Sequence, residues 1–428
     1  MGRGGQGLAL RRRRRHPRRV RGRLRAATAL RYLREPALAP SNDSTTSKEG
    51  FTMTDSGAVP PRHRHRLAIL GCGGMEKSHQ AVFADLADRV EVVACVDPVL
   101  ERAQTAADAL GAPYAVADHR EILDKVDCVL GVLPHHLHHP IGMDCLRAGK
   151  HVLMEKPLAI TEKECRELQA EAEKQGVTLM TAYPMRYHPL VIKLKELVDT
   201  YAFGQLFHMH IWTEQYTRYA EGHWGLKKAT LGGGQFVSHA CHYIDLLLWF
   251  CGPPSRGIHM GTTLGTPWME GEGTSDAVIK FENDILGYHG GTWGAKGSRL
   301  KYAIHAQFSE GMVELDFHAG TLKLIVGPEE TLLAEHPITK NVLGEILEFF
   351  DAIDERRPPH TDAEQSIQGL QLIWKLYEAE QSGIVADLRG VVKHPELTGP
   401  PPPSAPIEFT PLIVNETDIA ALADDQAR

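Results

Sequence analysis

The most constraining stretch of this chain is Arg66-Leu-Ala-Ile-Leu70, followed at once by Gly71-Cys72-Gly73-Gly74. A short apolar run that breaks into glycines and then into a helix-compatible segment, His79 to Leu86, predicts a buried strand, a tight turn and a helix whose first amides face an anion. In a G-x-G-x-x-G turn the first glycine makes the bend and the second admits a pyrophosphate close to the main chain. Gly71 and Gly73 fill those positions, Gly74 and Met75 complete the loop, and Glu76 stands where the third glycine would be. One strand later the run Val90 to Val96 ends in Asp97, the spacing at which an acid meets the ribose hydroxyls of a dinucleotide. Pro98 follows it, where a 2'-phosphate calls for Ser or Arg, so the pattern favours NAD over NADP. Asp97 also suits a helix N-cap ahead of Val99.

The alternation continues. Strands are predicted at Val126 to Leu133, His151 to Met154 and Val177 to Thr181, separated by helices at Ile141 to Ala148 and Thr161 to Gln175. Strands alternating with helices of this length give a doubly wound parallel sheet. Phe236 to Phe250 then reads as one helix with an apolar face, stopped by Cys251-Gly-Pro-Pro254. After it come six alternating runs, Gly257 to Leu264, Ser275 to Phe281, Ile285 to Trp293, Tyr302 to Phe308, Met312 to Phe317 and Thr321 to Val326. Turn-like pieces such as Glu282-Asn283-Asp284 join them, which predicts a mainly antiparallel sheet. Helices near Val342 to Glu355 and Ala363 to Gln381 are expected to pack back on the body. Residues 396 to 428, with Pro400 to Pro403, read as an extended tail.

Charge divides the chain. Residues 1 to 66 carry 17 Lys+Arg against 4 Asp+Glu, and the remaining 362 carry 30 against 50. The acidic body is a poor nucleic-acid binder. The arginine-rich leader, Arg11 to Arg15 with Arg18, Arg19, Arg21, Arg23 and Arg25, has the composition of a disordered segment, an RNA-binding arm or a transit peptide. The preferred expectation is that it is no physiological part of the protein, since Met53 opens a short leader before the first strand. No run approaches 18 apolar residues, so no membrane span is expected and the protein reads as cytoplasmic. Seven scattered cysteines without C-x-x-C spacing argue against a disulfide framework or a zinc finger.

Ala148-Gly-Lys-His-Val-Leu-Met-Glu155-Lys156-Pro157 closely resembles the Gfo/Idh/MocA family of NAD(P)-dependent oxidoreductases, whose hallmark is the E-K-P tripeptide. Pro134-His135-His136-Leu137-His138 is similar to the family's P-N-x-x-H turn, with His135 for the usual Asn. Tyr183-Pro-Met-Arg186-Tyr-His188-Pro189 is similar to the segment ending the sixth strand. Gly232-Gly-Gly-Gln-Phe-Val-Ser238-His239-Ala-Cys-His242-Tyr-Ile-Asp245 resembles the approach to the catalytic helix. The resemblance runs from about 66 to 390. It implies an α/β protein with an N-terminal Rossmann doubly wound parallel sheet and a C-terminal α+β domain with a large mainly antiparallel sheet. The implied division is a basic leader 1–65, an NAD-binding domain 66–184, a substrate and oligomerisation domain 185–392 and a flexible tail 393–428.

The resemblance also assigns the site. Lys156 and His242 become the acid/base pair, and Gly71, Gly73, Gly74, Met75, Asp97, Leu133, Pro134, His135, His138, Glu155, Lys156 and Arg186 the cofactor side. Arg186, Trp224, Ser238, His239 and Asp245 are placed on the substrate, with His188, His223 and Trp293 behind them. On a regular helix Ser238, His242, Asp245 and Trp249 form one stripe, and His239 points about 100° away from Ser238. Ser238 stands where many members carry Asp. No metal is expected; a His210, His223, His239 and His242 cluster is the minority alternative. The partner implied is a small polyhydroxylated molecule, a sugar, inositol or sugar acid, handled by a homodimer or homotetramer. The rival readings are an NAD-using glycoside hydrolase and a non-catalytic NAD-responsive regulator.

Overall fold

The computed structural model describes residues 64–74, 79–337 and 340–392. The basic leader before Arg64, the Met75 and Glu76 positions and the tail from residue 393 lie outside the described residues. Strands β1 (His65–Leu70), β2 (Val90–Val96), β3 (Tyr114–Val116), β4 (Cys128–Gly131), β5 (His151–Glu155) and β6 (Leu179–Ala182) form one sheet in the order β3-β2-β1-β4-β5-β6. Every pairing in it is parallel. Ala68, Ile69, Cys95, Leu130 and Val152 are sealed from solvent, as strands covered on both faces must be. Helices α1 (Leu100–Leu110), α2 (His135–Arg147) and α3 (Glu162–Gln175) are the crossovers. A capping box at Thr161 and Glu164 starts α3, and left-handed Gly176 ends it. Strand order reverses between β1 and β4, so a crevice opens beyond their carboxyl ends.

The predicted helix from His79 to Leu86 is not regular. His79 and Gln80 are helical, a turn follows at Ala81 and Val82, and Phe83–Leu86 is a four-residue 3-10 turn without a capping side chain. Phe83 and Leu86 nonetheless anchor it in the core.

The second sheet has nine strands in the order β14-β13-β12-β11-β7-β10-β9-β8-β15. They are β7 (Leu206–Glu214), β8 (Pro254–Thr262), β9 (Thr274–Phe281), β10 (Leu286–Thr292), β11 (Tyr302–Phe308), β12 (Gly311–Asp316), β13 (Thr321–Val326), β14 (Glu329–Glu335) and β15 (Ala386–Asp387). All pairings are antiparallel except β7 with β10. The strand at its centre, β7, escaped the sequence reading because His208, His210 and Trp212 alternate with buried Met209 and Ile211 and blur the apolar pattern. Helix α4 (Pro189–Asp199) leads into this sheet, and α5 (Cys241–Cys251) packs beside β10.

Two late helices lock the body together. On α6 (Val342–Glu355), Ile346, Phe349 and Phe350 enter the same core as Leu67, Ile69 and Cys95 of the first sheet. Arg89 ties it down through Asp351 and Asp354, 2.7 Å each. Helix α7 (Ala363–Ser382) lies against α3 and α5. All seven cysteines are free and buried. No helix among the described residues is long and apolar enough to cross a membrane.

One ion pair joins the two sheets' territories. Arg186, in the turn Pro184–Tyr187 after β6, grips Asp245 of α5 with a two-pronged hydrogen bond, Nε to Oδ2 at 2.6 Å and Nη2 to Oδ1 at 2.8 Å. Both side chains are buried, and the guanidinium lies over the Trp249 ring at 4.6 Å. Arg186→Met is expected to strand the Asp245 carboxylate in a dry site and cost about 3–5 kcal/mol. A urea unfolding midpoint unchanged from the parent protein would contradict this.

Candidate active site

One cavity of about 1930 Å³ runs from the crevice of the first sheet to the edge of the second. Its floor starts at Gly71, whose φ is +95° and whose missing Cβ would fall 2.1 Å from the Val132 carbonyl oxygen. Only glycine fits there. At Gly73 and Gly74 an added Cβ would meet nothing within 4 Å, so these residues leave bare backbone facing open space. Asp97 binds the same loop: Oδ2 accepts from Cys72 N–H at 3.0 Å and Oδ1 from Val99 N–H at 2.9 Å. It therefore closes a turn ahead of α1, whose N-cap is Val99, and is not itself the cap. Asp97 also lines the cavity, as do Leu133, Pro134, His135, Glu155 and Lys156. The glycine cradle, the open backbone and a buried acid one strand away fit a bound dinucleotide.

His138 does not line the cavity but braces it. Its Nδ1 lies 2.7 Å from the Pro157 carbonyl oxygen and its Nε2 2.9 Å from that of Leu133. The loop after β4 is thereby pinned to the cis Lys156–Pro157 peptide. His135 bonds the Leu231 carbonyl at 2.9 Å and packs on Trp224, ring centroids 4.7 Å apart. Glu155 accepts from His79 Nε2 at 3.0 Å. Burial raises its pKa, but the His79 bond and the charges of Lys156 and Lys340 outweigh that and hold it at about 2.

Lys156 Nζ donates to the Ser238 carbonyl oxygen at 3.2 Å. That carbonyl belongs to a wide π turn, Phe236–Ala240, which runs straight into α5. The single regular helix of the sequence reading is thus corrected. The extra residue in the turn changes the angular spacing, and Ser238, His239, His242 and Tyr243 all line the cavity.

The two histidines differ. His239 is held from both sides: Nδ1 accepts from the Gln235 amide at 3.3 Å, and Nε2–H donates to the Tyr302 oxygen at 3.3 Å. Tyr302 in turn donates to Gln215 Oε1, and Ser275 donates to Gln235 Oε1 at 2.7 Å. That sequence of donors fixes the His239 tautomer. His242 is 2% exposed, and neither of its ring nitrogens has a hydrogen-bond partner among the described residues. Burial first, then the nearby Lys156, Lys340 and His239 groups, hold its pKa well below the usual imidazole value. It presents a neutral ring with a free lone pair.

Other expected site residues are placed differently. Arg186 and Asp245 are spent on each other and do not line the cavity. Asp245 therefore does not orient His242, and neither side chain stands free for cofactor or substrate. His188 is fully buried, accepts from Leu190 N–H at 3.2 Å and meets the Phe317 ring at 5.1 Å. Trp224, His223 and Trp293 do line the cavity, and His223 stacks on Tyr219 with centroids 4.3 Å apart. His210 sits instead beside His208 and Trp212 on β7. Among the described residues no group of three or more His, Cys, Asp or Glu is placed to hold a metal. The sequence reading missed Gln235, Tyr302, Tyr219, His79 and Lys340. Gln235 alone carried a signal, a polar residue one turn before His239.

The strand order, the glycine turn at its switch point and a second sheet closing the same cavity define a two-domain dinucleotide-binding oxidoreductase. Residues 65–183 match the oxidoreductase family, NAD-binding Rossmann fold, and residues 191–314 match the Gfo/Idh/MocA C-terminal domain. The chain belongs to the Gfo/Idh/MocA family, and NAD is the cofactor of its first domain. It is 25% identical to D-xylose 1-dehydrogenase (NADP(+)) 2 of Haloferax volcanii, over 75% of this chain and 99% of that one. It is 26% identical to D-glucoside 3-dehydrogenase of Escherichia coli, over 76% and 97%. Its fold matches levoglucosan dehydrogenase solved with NADH and levoglucosan, with TM-score 0.70 and 20% identity, covering 76% of this chain and 99% of that one.

His135, His138, His239 and His242 all have lowered pKa values, chiefly through burial. Below an unfolded value of about 6.5 the unfolded chain binds protons that the native state refuses, so stability falls as pH drops from 7 toward 5. Glu345, fully buried and raised in pKa, acts in the opposite sense. The readable outcome is therefore a difference: His242→Gln should gain urea stability relative to the parent as pH falls. A pH-independent difference would sink the assignment of a neutral buried His242.

Proposed function

We propose that this protein is an NAD-dependent oxidoreductase that transfers hydride between a secondary alcohol of a sugar, inositol or sugar-acid-like molecule and the nicotinamide. Lys156 and His242 are its acid/base pair. The observation that carries the reading is His242: a neutral imidazole with both nitrogens unpartnered, in the same cavity as Lys156 and the glycine turn. NAD, when bound, accepts the hydride; Gly71, Gly73, Asp97, Pro134 and His135 are the residues that would hold it.

The hydroxyl proton has to leave as the carbonyl forms, and a base must lie within reach of that oxygen. His242 has the lone pair. Lys156 spends one donor on the Ser238 carbonyl, which aims the ammonium along the cavity and leaves donors for the substrate oxygen. Ser238 of the π turn stands where many family members carry Asp, and Asp245 of α5 is spent on Arg186, so no carboxylate on these two segments serves the pair. Trp224, Trp293, Tyr219 and Tyr302 give flat apolar faces with polar edges, the lining that a polyhydroxylated ring requires. Relatives named as dehydrogenases of xylose, glucosides and scyllo-inositol support the substrate class.

Homo-oligomerisation belongs to the same reading. Ile258, Val278 and Leu286 are exposed on the neighbouring strands β8, β9 and β10, with Met260 beside them, and form an apolar patch on the second sheet. Light scattering should return at least a dimer.

The decisive assay follows reduced-nicotinamide absorbance while polyols and sugars are offered with NAD or NADP. Lys156→Ala and His242→Gln should each lower kcat by about 10²–10⁴-fold with NAD still bound. Turnover that survives both substitutions would refute the acid/base assignment.

A further inference from the structure

The body is acidic, yet the substrate end of its cavity carries a set of basic side chains. Lys296, Lys301 and Lys340 line it, and so does the His318 ring. They come from three separate loops: Lys296 and Lys301 between β10 and β11, His318 between β12 and β13, and Lys340 between β14 and α6. The loops are fastened together. His336 N–H donates to the Gly320 carbonyl at 2.8 Å, which holds the approach to Lys340 against the His318 turn. Lys301 Nζ donates to His318 Nε2 at 2.8 Å.

Lys301 is also held in an unusual backbone conformation, φ +48°. A side chain there is strained, and the strain is sustained on both sides: Lys301 N–H donates to Ser298 Oγ at 2.7 Å, and its carbonyl accepts from Glu214 N–H at 2.7 Å. Glu214, the acid on this rim, is engaged by the Ser298 hydroxyl. Lys296, Lys301 and Lys340 have no ion pair with any described residue.

These cations are not where a dinucleotide's phosphates belong. The glycine turn Gly71–Gly74 serves those, at the first sheet, whereas Lys301 and His318 stand on the second sheet next to Tyr302, whose hydroxyl touches His239. Lys340 lines the same cavity as His239 and His242, and its charge is felt by Lys156 and Glu155 as well. Against a body with 50 Asp+Glu and 30 Lys+Arg in residues 67 to 428, Lys296 and Lys301, without ion pairs among the described residues, and Lys340, partly offset by Glu155 and Glu345, focus the field in the cleft on an entering anion.

We propose that the substrate is an anionic sugar derivative, one bearing a carboxylate or phosphate, and that Lys296, Lys301 and Lys340 with His318 receive that group. The inference rests on the oxidoreductase reading above and narrows its substrate class. Its test compares glucose, glucuronate and glucose 6-phosphate on the full chain. With NAD, kcat/KM for an anionic sugar should exceed that for glucose by about tenfold or more at low salt, and the ratio should collapse toward one near 0.5 M salt. Lys301→Gln and Lys340→Gln should lower the same ratio, which a mere loss of folded protein leaves unmoved. Glucuronate against glucose 6-phosphate distinguishes carboxylate from phosphate. Calorimetry on the NADH-loaded protein reads binding where no turnover occurs: tighter binding of either anion than of glucose, lost in Lys301→Gln, upholds the anion site even if the dehydrogenase reading fails. A ratio near one, a ratio unaltered in both variants, or no anion binding overturns it.

Discussion

Almost everything at the active site hangs from the buried pair of Arg186 and Asp245. One partner stands at the end of the last strand of the parallel sheet and the other on the helix that carries His242. Two short, parallel hydrogen bonds fix the angle as well as the distance between these elements, because a guanidinium and a carboxylate mate in a single plane. Desolvating both ions is costly, and their attraction alone hardly repays it. The gain is in geometry: His242 is held in the cavity that also contains Lys156. A pair that looked at first like ligand-binding side chains is thus the frame on which such side chains are mounted.

Within that frame the backbone divides labour between neighbouring histidines. His239 and His242, three positions apart, share one face and both line the cavity. The π turn at Phe236–Ala240 carries His239 into α5. Gln235 and Tyr302 then consume the nitrogens of His239 and leave those of His242 free. Chemically identical rings acquire different capacities because one is already bonded. Lys156 is steadied by a carbonyl of the same turn, so a local irregularity of the main chain adjoins both groups of the proposed acid/base pair.

The sequence disclosed the parallel sheet well, since Leu67 to Leu70, Val92 to Val96 and Val152 to Met154 are apolar without interruption and their strands lie between helices. Gly71 was equally plain, because no other residue tolerates its φ beside Val132. In the second sheet the six runs read from the sequence are β8 to β13, whereas β7, with histidines and a tryptophan alternating with its buried residues, was not legible. The π turn left no trace in residue spacing, so every angular deduction about Ser238 and His239 inherited the wrong period. Arg186 and Asp245 lie 59 positions apart, and local pattern carries no information about such a partnership. Lys156 stood out only through the resemblance at Glu155-Lys156-Pro157; as a lone lysine after a strand it is unremarkable.

The seven cysteines give the molecule an internal reporter. Each is buried as a free thiol. Burial pushes the pKa of Cys128, Cys145, Cys165, Cys241 and Cys251 upward, so the reactive thiolate is suppressed as well as hidden. Their positions sample the first sheet with its helices, including Cys72 in the glycine turn and Cys128 in β4, and both ends of α5 at Cys241 and Cys251. Alkylation of the folded protein must therefore await an opening of the chain, and the order in which these thiols become labelled is a map of which layer of the molecule breathes first.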